Sequence, residues 1–355
     1  MSEKSDMVMV RKSSPNLLKY LFANWDRTQL VISFILIAVV GVLSQVIQSP
    51  YFLGILILAT LYAFVGISWN IVAGFAGQLL IAHVIFLAVG AYTTIVLNNR
   101  FGVTPWIGIL AAGVVAGILG LIVAFITLRY GLKADYFALF TIALMVTMKT
   151  IFLKWKFVGS APGLWLQLGN AGLKNMIFPN KEPYLYIIMV ILTLGVIVQY
   201  LIYRSKLGKY MLAIREDEAA AAALGVNTSL YKTLALLIGA VMAGIAGGFY
   251  VMYVAFVEPP QVFDLGFNVE IVLASPIIGG LGSLAGPILG AFLNKPLAEI
   301  IRGALAAQTS GSSLIIYGSF LILAILFLPR GIAGLIHDLY NRLNPHPVDD
   351  LPGGD

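Results

Sequence analysis

The sequence predicts an all-α protein that crosses a membrane about ten times, or nine if two short runs join into one broken helix, with both termini in the cytoplasm. Three observations predict it. The 355 residues are 60% hydrophobic and only 11% charged, with a mean hydropathy of +0.94, where a soluble domain is about one-quarter charged. The apolar residues gather into runs of about 20, the length that spans a bilayer as a helix. The basic residues gather at the ends of those runs, so the net charge of +6 reports orientation rather than an affinity for nucleic acid. The chain contains no cysteine, which excludes a disulfide framework and a thiolate metal site, and its three histidines make no metal-ligand spacing.

Residues 1–27 are polar and basic, and form a cytoplasmic and interfacial segment. Within them SSPNLLKYLFANWDR sets Leu17, Leu18, Leu21, Phe22 and Trp25 on one helical face, with Lys19 and Arg27 elsewhere. That pattern predicts a short helix lying on the membrane. The next run is too long for the apolar region of a signal peptide and reads as a retained first span. Residues 28–335 form the transmembrane domain, with apolar runs at 28–47, 51–72, 79–98, 105–128, 135–153, 183–203, 231–256, 268–281, 285–301 and 312–328. The eighth and ninth are short and are joined by GGLGSLAGP. A polar tail, 336–355, follows in the cytoplasm.

Orientation follows from Lys and Arg. Fourteen of them, from Lys4 to Arg342, fall on the side that carries both termini. The other side has six, namely Arg100, Lys154, Lys156, Lys174, Lys181 and Arg302, of which four lie in one long loop. The excess places the termini and the 204–230 loop in the cytoplasm, and the 154–182 loop outside.

Small residues at four-residue spacing mark three helix-packing seams: Gly113 to Gly117, Ala240 through Gly244 to Gly248, and Gly282 through Gly286 to Gly290. Pro276 and Pro287 flank the third. A proline in a span frees a carbonyl that must be satisfied by protein, so the eighth and ninth spans belong to the interior. The carboxylates Asp135, Glu182, Glu270 and Glu299 fall at span ends, with Lys295 one turn before Glu299. No buried carboxylate relay is legible, which weighs against a proton-driven carrier. No GxxxxGK[ST] phosphate loop, nucleophile elbow or HExxH pair occurs either, so the chain is expected to be non-catalytic and to bind no cofactor or metal itself. A channel remains, or a transport subunit driven by a separate ATPase.

The 204–230 loop favours the second. AIREDEAAAAALGVNTSLYK, residues 213–232, is too long for a plain connection and strongly helical in its middle. Arg215, Glu216, Asp217 and Glu218 precede Ala219, Ala220 and three more alanines, so the acids are expected in the first turn, where they complement the helix dipole. Leu224 follows, Gly225 stops the helix, and Asn227 or Thr228 can cap the next. A short rigid helix with small side chains suits docking in a partner's groove.

A second group of residues carries polarity into the spans. Asn70, Gln78 and His83 lie within or beside the second and third, and Gly74 and Gly77 allow the backbone to break between them. Such a break would expose amides along a translocation route, or the polar groups would serve helix packing alone. The hexapeptides GFAGQL (74–79) and GGLGSL (279–284), the second containing Gly279, Gly280 and Gly282, hint at an internal repeat. In the outer loop, Trp155, Phe157, Trp165 and four lysines read either as an interfacial anchor or as a surface that receives a binding protein.

The stretches SWNIVAGFAGQLLIAHVIFLAVGAYT (68–93), SKLGKYMLAIREDEAAAAALGVNTSLYK (205–232), LIGAVMAGIAGGFY (237–250), FDLGFNVEIVLASPIIGGLGSLAGPILGAF (263–292) and LFLPRGIAGL (326–335) resemble the LivM-type permease subunits of branched-chain amino acid ABC importers. That resemblance implies that residues 213–226 dock on an ATPase. It also implies a LivH-type second permease, two ATPase subunits of the LivG and LivF type that hold ATP and Mg, and an extracytoplasmic substrate-binding protein. The family's glycine-rich TGGxxG-like loop reads VGSAPG here (158–163), and its Gly-Gln-Leu-Ser run before His83 reads GQLLIAH, with Leu80 and Ala82 at altered positions. Those departures leave urea, short-amide and aromatic-acid permeases of the same superfamily open as alternatives, and a secondary carrier or channel acting without an ATPase as another class.

Overall fold

The computed structural model describes residues 25–343, except 48, 133, 168, 170, 306–311 and 329. Most of the predicted interfacial helix therefore lies outside the described residues. Trp25 and Arg27, its last members, sit in the first turn of a long helix, α1 (Trp25–Val46).

All ten apolar runs are helical. After α1 come α2 (Pro50–Trp69), α3 (Val84–Phe101), α4 (Pro105–Arg129), α5 (Ala134–Lys154) and α6 (Glu182–Arg204). Two short helices follow, α7 (Lys206–Glu216) and α8 (Glu218–Ala223), then the 27-residue α9 (Thr228–Val254). The remainder is α10 (Pro259–Val262), α11 (Leu265–Asn268), α12 (Ala274–Gly279), α13 (Gly286–Leu305), α14 (Ser312–Phe327) and α15 (Gly331–Leu343). Helices dominate because a lipid environment offers no partner to an open backbone. The single two-stranded ladder, β1 (Leu164–Trp165) against β2 (Phe256–Val257), is antiparallel and joins the 154–182 loop to the end of α9.

Among the described residues, eight stretches are long and apolar enough to cross a membrane: α1, α2 with its extension to Phe75, α3, α4, α5, α6, α9, and Ile315–Leu339. This is a multi-pass membrane protein. The two remaining predicted spans differ for separate reasons. The Leu265–Gly279 stretch is too short, and α13 carries Lys295, Glu299 and Arg302 along its second half. Burial explains how both are accommodated. Together they pack on α2, which is apolar on every face and is the most deeply enclosed helix, as such a helix must be.

Two of the three small-residue seams are helix contacts. In α4, Gly113 and Gly117 receive Val241 and Ile245 of α9, and Gly120 receives Ala240. On an adjacent face of α9, a Cβ on Gly247 would sit 1.9 Å from the Leu87 carbonyl oxygen of α3. The third seam is corrected: Gly282 lies outside any helix, in the loop between α12 and α13. Its positive φ of 81° ends the helical repeat that spacing alone suggested, while Gly286 and Gly290 do pack, against Gly279 and Ser275.

The α3–α9 contact has no room for a side chain. Gly247→Leu is expected to destabilise the protein by about 1–3 kcal/mol or more, because the helices must separate. Gly303→Leu, where among the described residues no atom lies within 4 Å of an added Cβ, should stay within about 0.5 kcal/mol of the parent. Thermal unfolding of the detergent-solubilised variants measures the difference.

Candidate functional site

Two breaks interrupt the buried helices, and each is preceded by a π-helical turn. The first turn, Asn70–Phe75, extends α2, and the chain then runs without regular structure from Gln78 to Leu80 before α3 begins at Val84. Gly77 turns it with φ 67°, a conformation that costs glycine little and any residue with a Cβ more. The third span thus starts five residues later than the apolar run. The second turn, Val269–Leu273, separates α11 from α12, and the chain breaks after Gly279, with φ of 119° at Gly280 and 81° at Gly282.

A break inside a membrane protein leaves amides and carbonyls that must find partners or cost several kcal/mol each. Two fully buried asparagines supply them across the molecule. The Asn70 Oδ1 accepts from Gly282 N at 2.7 Å and its Nδ2 donates to the Ser283 carbonyl at 2.9 Å. Reciprocally, the Asn268 Oδ1 accepts from Val84 N at 2.9 Å and its Nδ2 donates to the Ile81 carbonyl at 2.5 Å. Asn70 sits beside the first break and closes the second, and Asn268, at the start of the second π turn, closes the first. Gly74 makes this possible, since a Cβ there would overlap Asn70 Oδ1 at 2.1 Å and crowd Gly282 N at 2.8 Å. The two similar hexapeptides therefore meet face to face. Gln29 of α1 adds two bonds, its Oε1 accepting from Leu284 N at 2.7 Å and Ala285 N at 3.3 Å.

The 204–230 loop meets the same place. Ser205 caps α7, and Asp217 caps α8 by accepting from Ala220 N at 3.0 Å. The expected single acidic first turn is thus divided: Glu216 closes α7, Asp217 is the cap and Glu218 opens α8. An aspartate whose side chain bonds the backbone three residues on favours a cap over a helix interior, and Asp217 is accordingly extended, with φ −155° and ψ 107°. Gly225 leaves the helix at φ 87°, and Asn227 caps α9 by accepting from Leu230 N at 3.1 Å.

Buried Met211 and Ile214 hold α7 to the bundle, and Arg215 reaches in beside them. Its Nη1 donates to the Gly74 carbonyl at 2.6 Å, while Nη2 pairs with Glu216 at 2.7 Å. A Cβ on Gly77 would lie 2.9 Å from Arg215 Cγ, and one on Gly282 would lie 2.4 Å from Arg215 Nη1. Two sets of residues that the sequence kept apart are one cluster. On the outside of the loop Glu218 pairs with Lys232 at 2.5 Å, Ala219 and Ala220 are exposed, and Leu224 is 86% exposed.

Between the loop and the first break lies a cavity of about 250 Å³, lined in part by Gly77, Gln78, Thr127, Arg215 and Lys232. Gln78 is buried, and its side-chain oxygen has no hydrogen-bond partner among the described residues. His83 is fully buried, with Nε2 2.9 Å from Ser68 Oγ. Gly279 packs on Gly286 and Gly290, and Gly280 lies against Arg330 and Ala333.

One expectation is overturned. Glu270 does not begin a span but sits within the second π turn, with its side chain only 12% exposed. It pairs with Lys295 at 3.3 Å and with Arg302, and Lys295 also holds Glu299 at 2.6 Å. Tyr62 of α2 donates to Glu270 at 3.2 Å. Two acids and two bases cancel, so the group ties α13 to α2 and the π turn without leaving net charge in a low-dielectric setting. Charge spacing missed it because Glu270 and Lys295 come from different helices. Asn268 was missed for another reason: as a lone amide in an apolar run it carried the same signal as Asn70 and was not weighed.

Over residues 51–328 the chain matches the family described as branched-chain amino acid transport system, permease component. It is 28% identical over 300 residues to the high-affinity branched-chain amino acid transport system permease protein LivM of Escherichia coli strain K12, covering 78% of this chain and 68% of that protein. It is 23% identical over 273 residues to the probable branched-chain amino acid transport permease protein LivH of Methanocaldococcus jannaschii, covering 73% and 84%. To LivH of Escherichia coli strain K12 the identity is 24% over 304 residues, covering 78% and 92%. No solved structure matches the chain.

The reciprocal clamps predict a crossed response in amide hydrogen exchange. Asn268→Leu should speed exchange at Val84, and Asn70→Leu at Gly282, by about 5- to 150-fold for a lost bond worth about 1–3 kcal/mol. Unchanged protection at either amide would show that the clamp on it is not holding.

Proposed function

We propose a function from one premise: the chain belongs to the family of branched-chain amino acid transport system permease components. In this reading it is a membrane subunit of an ATP-binding cassette importer in the cell membrane, and with a second, LivH-type permease it forms the route for branched-chain or related hydrophobic amino acids. Two ATPase subunits of the LivG and LivF type bind ATP and Mg and supply the energy, and an extracytoplasmic binding protein delivers the solute. Residues 28–335 are the transporting domain, 1–27 and 336–355 its cytoplasmic ends, and the loops at 204–230 and 154–182 its ATPase-facing and outer surfaces. No nucleic acid and no chemistry of its own enter the reading.

The observation that carries it is the bond from Arg215 Nη1 to the Gly74 carbonyl. A helix pair that docks on a moving ATPase must transmit that motion to the pathway through something stiff. Here the transmitting group is the Arg215 side chain, its stem against Gly77 and its guanidinium against Gly282, where the backbone is already interrupted. Displacing α7 therefore pulls on both breaks, and small shifts at a bistable packed junction are amplified into opening or closure. Polar Asn70, Gln78 and His83 and the amides around Gly279, Gly280 and Gly282 then border the route. Leu224 is the docking anchor in this account, an apolar side chain left in water beside the exposed alanines.

Leu224 also offers the cleanest test. Glu216→Arg and Glu218→Arg should abolish uptake, but each also breaks a pair inside the chain, with Arg215 or Lys232. Leu224→Asp breaks none. In vesicles reconstituted with all subunits, it is expected to cut ATP-driven leucine uptake at least about tenfold, as loss of a docking anchor worth about 1.4 kcal/mol or more requires. Subunit abundance in the membrane should be unchanged. Uptake at the parent rate would refute docking through this loop.

A further inference from the structure

The charged group around Glu270 borders a cavity of about 400 Å³ between α11, the second π turn, α13 and α14. Its place in the molecule is fixed by chain geometry. Gly282 lies against Arg215, at the coupling end, and Glu270 precedes the break at Gly280 by ten residues, roughly 15 Å of helix in the opposite direction. The cavity therefore lies in the half of the bundle away from the coupling helices.

Its walls divide by chemistry. Asp264, Glu270 and Arg302 bring charge, Tyr317 brings a hydroxyl, and Phe267, Val269, Ala298 and Leu321 are apolar. The charges are not all committed. Glu270 is already held by Lys295, Arg302 and Tyr62, but the Arg302 side chain is 47% exposed, and of the five N–H donors of its guanidinium two are bonded among the described residues, to Glu299 and Glu270. Asp264 accepts one bond, from Phe267 N to Oδ1 at 3.0 Å, and lies in no ion pair among the described residues. A cation with spare donors, an acid with a spare oxygen and an apolar wall, in a volume typical of small-ligand sites, describe the outline of one kind of molecule.

We propose that this cavity is a binding site for a zwitterionic α-amino acid with an apolar side chain, its carboxylate on Arg302, its ammonium on Asp264 and its side chain against Val269, Ala298 and Leu321. The inference rests on the reading proposed above, and it assigns to this chain a waypoint for the solute between delivery and the two breaks. Lys295 shares both Glu270 and Glu299 with Arg302, so the guanidinium is held at the rim by two bonds and keeps three N–H donors free among the described residues.

Two substitutions separate the site from the scaffold. Asp264→Asn keeps a good helix cap and removes the charge that would meet the ammonium. Gly318→Leu places a side chain at a wall position where, among the described residues, no atom lies within 4 Å of an added Cβ, so it occupies space without breaking a contact described there. Saturation-transfer NMR on the assembled complex in nanodiscs, without the binding protein, would titrate leucine and its α-hydroxy analogue, which lacks the ammonium. The parent should prefer leucine, Asp264→Asn should weaken leucine at least about tenfold, about 1.4 kcal/mol, and erase the preference, and Gly318→Leu should weaken leucine far more than glycine. No saturable leucine binding in the parent, or parent-like binding in both variants, overturns the site. ATP-driven leucine uptake by the parent complex is measured alongside. If uptake fails while binding persists, the proposed function falls and the site stands; if uptake persists while neither variant alters binding, the site alone falls.

Discussion

The constraint on which the structure depends is that a backbone inside a membrane protein cannot be left unbonded. Continuous helices satisfy it trivially, and most of the long apolar stretches of this chain do so. A transport route needs interruptions, and every interruption releases amides and carbonyls into a medium without water. This protein resolves the conflict with side-chain amides. Asn70 and Asn268 each present one acceptor and one donor, the complement of what a broken strand of backbone exposes. Leucine or valine at either place would fit the hydropathy better and leave two backbone groups orphaned. The helices α2 and α13 lie together because the breaks between and beside them are bonded to each other.

From that junction the rest of the architecture follows outward. Close approach of α3, α4 and α9 through glycine and alanine gives a stiff wall behind the first break. The mixed-charge group on α13 fixes the second break's far end to Tyr62 of α2. Arg215 enters from the opposite side, so a soluble-looking helix pair and a deeply buried turn are joined by one hydrogen bond. Rigid surroundings matter here, since a compliant wall would absorb a displacement before it reached the break.

Much of this was legible in the sequence, for reasons that can be named. Apolar runs of about twenty residues specify spans because lipid thickness specifies length, and eight of the ten runs coincide with stretches long and apolar enough to cross. Gly225 and Asn227 were readable as stop and start because capping is local chemistry. What local reading lacks is the identity of a partner from a distant segment. Gly282 was placed on a helix by its spacing to Gly286, yet the bond from its amide to Asn70, 212 positions away, holds it outside. Glu270 looked like the edge of a span because hydropathy cannot register Lys295 from another helix neutralising it. Gln78 and His83 were singled out for polarity alone, and they differ once folded: His83 has Ser68 beside it, whereas the Gln78 side-chain oxygen lines a cavity without a partner.

The crossed arrangement of the two asparagines has a consequence for leakage. A membrane that stores an ion gradient cannot tolerate a subunit whose backbone gaps open at random. If each clamp holds its gap by about 2 kcal/mol, thermal motion frees one of them roughly one time in thirty. Because a different asparagine guards each gap, freeing both requires two such events, roughly one time in a thousand when they are independent. The resting seal is thus a product of two small probabilities, and Arg215 touches both gaps, so in the proposed coupling one displacement bears on both at once.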